Sequence, residues 1–94
     1  MTEMSLENRI KFDILNSIAK GQDRIDNLLE YKNNHNKEYG EVADMIKNNM
    51  YVRGHFNIVR TGYGNNRKID HIKIKHAELT ERGIAALNQL RNLK

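Results

Sequence analysis

The residues best equipped for chemistry are cations crowded into one stretch. Between positions 51 and 75 stand Arg53, Arg60, Arg67, Lys68, Lys73 and Lys75 against a single acid, Asp70, with Tyr63 among them. Such side chains grip phosphate oxygens, and a basic hairpin of this kind lies along a duplex backbone or reaches into a minor groove. The competing reading is a charged strand edge that discourages aggregation. The wider charge distribution has the same polarity. Residues 1–50 hold seven Lys and Arg against nine Asp and Glu, and residues 51–94 hold nine against three, so the net charge of +4 resides in the second half.

Other chemistries find little support. The spacings of His35, His55, His71 and His76 match no short metal-ligand motif, and the absence of cysteine excludes thiolate zinc sites and disulfides. There is no phosphate-loop motif, nucleophile elbow or spaced acid pair, and Gly62-Tyr63-Gly64 reads as a turn. The expectation is a binding protein with no catalytic site, metal or cofactor. Lack of cysteine suits a reducing cytoplasm. No apolar run approaches the roughly 20 residues of a membrane span, and Met1 to Arg9 lacks a signal-peptide core. A cytoplasmic protein is expected.

The elements that must carry these cations follow from periodicity. With 94 residues, 38% hydrophobic and 30% charged, the chain suits one domain with one core. Leu6, Ile10, Ile14 and Ile18, with Leu15, predict an amphipathic helix from about Thr2 to Lys20, ended by Gly21. Asp23 is expected to cap a short second helix through Ile25, Leu28, Leu29 and Tyr31, stopping in the polar run from Lys32 to Lys37. Tyr39, Val42, Ala43, Ile46 and Met50 predict a third helix, with Gly40 inside it relying on tertiary packing. The period then shortens to two. Val52, Phe56 and Ile58, and later Ile72 and Ile74, predict two half-buried strands joined by a tip over Arg60 to Lys68, with a bulge or strand start near Asp70. Thr80 caps a last helix, with Leu79 before it and Ile84, Leu87 and Leu90 along one side. The predicted class is α+β, a winged helix: a three-helix helix-turn-helix core, a two-stranded antiparallel wing and a C-terminal helix.

Two segments carry a family likeness. Asn36 to Gly54 looks like a recognition-type helix running into a first wing strand, and Leu79-Thr80-Glu81-Arg82-Gly83 matches a Leu-Thr-x-x-Gly pattern after the wing. Together they resemble the YjcQ-like winged-helix proteins of Gram-positive bacteria and their prophages. The resemblance implies a phage or mobile-element protein, and it implies a glycine as helix C-cap where this chain has Met50, so that Asn49 is expected to take the left-handed position.

With the apolar stripe of the third helix turned inward, Lys37, Glu41, Asp44 and Asn48 point outward. In a winged helix that face reads base edges, yet two carboxylates repel a phosphate backbone, so a protein partner is the alternative to DNA. Phe12, Leu15 and Ala19 on the first helix, with Leu87, Leu90 and Leu93 on the last, form either a homodimer seam or intramolecular core. On the DNA reading, charge reversal at Arg67 and Lys68 weakens binding more than Glu41→Gln does, as measured by mobility shift at rising salt.

Overall fold

The computed structural model describes residues 4–26, 28–62, 64 and 68–92. Tyr63, Arg67 and Leu93 lie outside the described residues. In chain order the elements are α1 (Leu6–Ala19), β1 (Arg24–Ile25), α2 (Leu29–Asn34), α3 (Asn36–Asn48), β2 (Val52–Arg53), β3 (Asn57–Thr61), β4 (Lys68–Lys73), β5 (Glu78–Leu79) and α4 (Glu81–Asn92). It is a small α+β arrangement of four helices with a three-stranded antiparallel sheet in the order β1-β4-β3 and a separate β2-β5 pair.

Helix α1 begins at Leu6, because the hydroxyl of Ser5 accepts the Asn8 N–H at 3.2 Å and caps it there. It ends as expected. Gly21 takes φ +75°, its N–H donates to the Ile18 carbonyl, and the Gln22 N–H donates to that of Ser17. Helix α3 closes with the same pair of bonds, from Met50 to Lys47 and from Tyr51 to Ile46. Here the sequence expectation needs correcting. Met50, at φ +59°, is the left-handed residue, while Asn49 sits at φ −92°. Asn49 is held as the cap because both its N–H and its side-chain amide donate to the Met45 carbonyl.

The predicted second helix is also corrected at its start. Asp23 does not cap it. Residues 24 and 25 form strand β1, with Arg24 opposite Lys73 and Ile25 opposite Ile72, and the Asp23 carbonyl extends this pairing by accepting the Ile74 N–H at 2.9 Å. The helical segment starts only at Leu29, and the polar run thought to end it continues to Asn34. A single non-helical residue, His35, separates α2 from α3.

The strand expected from Val52 to Ile58 divides in two. Gly54 takes φ +90°, and a β-carbon there would lie 2.6 Å from the His76 carbonyl oxygen, so the chain crosses closely at this point. On its near side Val52 and Arg53 pair with Leu79 and Glu78, and β3 starts afresh at Asn57. Arg53 is therefore outside the hairpin. The bulge expected near Asp70 is present: Val59 faces His71 and Arg60 faces Ile69, leaving Asp70 as the extra residue.

One core joins α1, α3, the sheet and α4. Ile10, Ile14 and Leu15 of α1 pack with Ala43 and Ile46 of α3, Ile25, Ile69 and Ile72 of the sheet, and Leu87 and Leu90 of α4. Phe12, Leu15, Leu87 and Leu90 are buried in the chain's own core and are not free for a dimer seam, whereas Ala19 is exposed. Along α4 the inward residues are Gly83, Ala86, Leu87 and Leu90, and Ile84 is 50% exposed. The reason is local. Thr80 accepts the Gly83 N–H and donates to the Met50 carbonyl at 2.7 Å, while a β-carbon on Gly83 would collide with the Tyr51 carbonyl oxygen. The start of α4 thus rests flat on the turn after α3, which rotates Ile84 outward. No helix among the described residues is long and apolar enough to cross a membrane.

Two glycine exchanges have opposite signs. Met50→Gly relieves a left-handed, exposed methionine and stabilises the fold by about 1 kcal/mol. Gly83→Ala drives a methyl group into backbone and destabilises it by about 3 kcal/mol or more. Urea unfolding followed by circular dichroism measures both; equal or reversed effects contradict this description of the two turns.

Candidate nucleic-acid interface

The hairpin and α3 meet along a line of every fourth residue. Asn36, Gly40 and Asp44 share one edge of the helix. At its start the Asn36 amide accepts the Ile69 N–H at 3.0 Å and donates to the Ile69 carbonyl at 3.1 Å and to the Lys32 carbonyl at 2.9 Å. One turn on, a β-carbon at Gly40 would lie 3.7 Å from Ile69, an ordinary contact. One turn further, Asp44 Oδ1 accepts from Arg60 Nη2 at 2.8 Å. The helix and the hairpin therefore form one continuous surface.

Charge on this surface is sorted by internal pairing. Arg60 is bound to Asp44, and Arg53 is bound to Glu78 through both Nε and Nη2. The extra residue of the bulge, Asp70, lies 3.0 Å from Lys32 Nζ and 2.6 Å from His71 Nδ1. The hydrogen bond with His71 and then the Lys32 ammonium hold its carboxyl below the usual carboxylate range. Asp44, Asp70 and Glu78 are thus each paired from within the chain. Lys68, Lys73 and Lys75 are exposed, with no ion-pair partner among the described residues. They do not share one element: Lys68 begins β4 beside the tip, Lys73 ends it opposite Arg24 and Asn57, and Lys75 lies in the following turn.

Lys37, Glu41 and Asn48 are exposed on α3 as the helical pattern suggests. Asp44 is exposed too, but it belongs to the seam with the hairpin, and its charge is engaged by Arg60. Only Glu41 remains an uncompensated acid on the outward stripe. Asn36 and Lys32 were not singled out by their sequence. Both sit in a polar run that reads as loop, and only the fold brings them to β4, more than 30 positions away.

Beneath the surface, Tyr31 ties α2 to α1 by donating to Asp13 Oδ2 at 2.7 Å and meets Tyr39 edge to face, with ring centroids 6.3 Å apart. Burial, followed by the Asp13 hydrogen bond, pushes the Tyr31 hydroxyl up to about 12. Among the described residues no group of three or more His, Asp or Glu side chains is placed to hold a metal ion. Comparison with protein-family models, with curated proteins and with solved structures returns no match to this chain.

The Asp70 cluster gives the acid limb of stability a defined sign. A carboxyl whose pKa is depressed on folding stabilises the fold above its unfolded value of 3.8 and loses that contribution as pH falls through the lower folded value. Thermal melts between about pH 5 and pH 2 should show a shallower decline for Asp70→Asn than for the unmodified chain. Parallel declines would remove Asp70 from the acid response.

Proposed function

We propose that this chain is a winged-helix protein that binds duplex DNA, with the β3-β4 hairpin along the phosphate backbone and α3 set against the groove. The observation that carries this reading is the seam just described. Asn36 holds the hairpin beside the outward face of α3, and pairing within the chain engages Asp44, Asp70 and Glu78 while Lys68, Lys73 and Lys75 have no ion-pair partner among the described residues. The element order supports it as well. Four helices and a short antiparallel sheet in the order β1-β4-β3 are compatible with a helix-turn-helix core carrying a wing. On the resemblance of Asn36 to Gly54 and of Leu79 to Gly83, we infer a regulator of YjcQ-like type from a phage or other mobile element.

Phosphate binding of this kind releases counterions. With these three lysines engaged, the logarithm of affinity falls with the logarithm of salt at a slope of about −3. A mobility-shift series with a random duplex should show binding at low ionic strength and that slope. Lys68→Glu and Lys73→Glu should each flatten it by about one. Absence of any shift at low-millimolar salt overturns the reading.

One feature favours the rival, a protein-docking module. Ile18, Ala19, Leu79 and the half-exposed Ile84 line an open groove of about 550 Å³. Capture from a host lysate of one stoichiometric partner that nuclease does not release would favour that alternative.

A further inference from the structure

Arg60 is held in a way that a simple phosphate grip does not require. Its guanidinium carries five N–H donors, and the Asp44 contact uses a single nitrogen, Nη2. Its other nitrogens have no partner among the described residues, and none of them is buried. The side chain is 25% exposed while that of Asp44 is 51% exposed. The stem is therefore packed at the seam, one nitrogen of the fork is held by the Asp44 carboxylate, and the remaining N–H donors are open to a ligand.

Stability does not explain the pair, since ion pairs this exposed contribute little. Phosphate binding does not explain it either. A carboxylate 2.8 Å from the guanidinium repels a phosphate brought to the same group, so for that purpose an unpaired arginine serves better. An acid is compatible with a ligand that is uncharged and presents two acceptors side by side. The major-groove edge of guanine, with O6 and N7, is such a ligand. A bidentate contact to it needs a guanidinium fixed in orientation, which the Asp44 contact provides.

We propose that Arg60 reads a guanine in the major groove and that Asp44 is its positioning residue, an inference that rests on the DNA-binding reading above. The hairpin then contributes sequence discrimination at the α3 seam in addition to backbone contacts through its lysines.

The test is selection from a randomised duplex pool with the full chain, alongside Asp44→Asn and Arg60→Lys, each checked for folding by circular dichroism. The unmodified chain should enrich guanine at one fixed position. Arg60→Lys should reduce that preference by about fivefold to a hundredfold and leave other positions unchanged. Asp44→Asn should weaken the preference at the same position alone. It should also tighten binding to duplexes lacking that guanine, because a negative charge leaves the interface; a merely structural ion pair would not give that combination. The inference is overturned if both variants enrich the same motif as strongly as the unmodified chain, or if that chain binds duplex with no guanine position. Should Arg60→Lys fail to fold, the near-isosteric Asp44→Asn decides alone. A chain that shifts no duplex at low salt fails the DNA-binding reading itself, a result distinct from binding without discrimination.

Discussion

The side-chain amide of Asn36 stands in for a missing strand, and the placement of the hairpin depends on it. Strand β1 is only two residues long and covers β4 at Ile72 and Lys73, so toward the tip that edge of β4 has no strand beside it. The N–H and carbonyl of Ile69 both face this open side. An asparagine amide carries one acceptor and a pair of donors in a plane, much like a peptide group, and Asn36 satisfies both Ile69 groups while also bonding to Lys32. Leaving such backbone groups unpaired costs about 1–3 kcal/mol each. The first residue of α3 is thereby fixed to the centre of the sheet, and Gly40 and Asp44 follow at the helical repeat.

The bulge belongs to the same solution. One extra residue in β4 lets Ile69 and Ile72 both reach the core and frees Asp70 to turn toward Lys32 of α2. Without that insertion, strand alternation would place Ile69 and Ile72 on opposite faces. Asp70 then joins His71 and Lys32 in a polar cluster at the point where α2, α3 and the hairpin meet. The single acid of the basic hairpin is thus engaged internally, while Lys68, Lys73 and Lys75 stay exposed.

A second fixed point lies at the carbonyl of Tyr51. Thr80 donates its backbone N–H there at 3.0 Å and its hydroxyl to Met50, Arg82 donates to Asn49 at 3.1 Å, and Gly83 lets the backbones approach. The Leu-Thr-x-x-Gly pattern therefore has a physical role. It seats the last helix on the turn that ends α3, so that Leu87 and Leu90 close the core while Ile84 is left outside.

Elements governed by local rules were legible in the amino-acid sequence. The 3.6-residue stripes of α1 and α3, the glycine stop at Gly21, the Thr80 cap, the alternation of Ile72 and Ile74 and the poor fit of Asp70 each involve residues within a turn or two of one another. The concentration of cations after position 50 was equally plain. Contacts across long stretches of chain were not. Ile25 became a strand because β4, 47 positions later, offered an edge to pair with. Gly54 broke the expected strand because His76 crosses it, and the charge of Asp44 was cancelled by Arg60 on a different element. The isolated residue types give no sign of these pairings. Each is decided by which surfaces the packed core brings together, and the α3 seam exists only at that level.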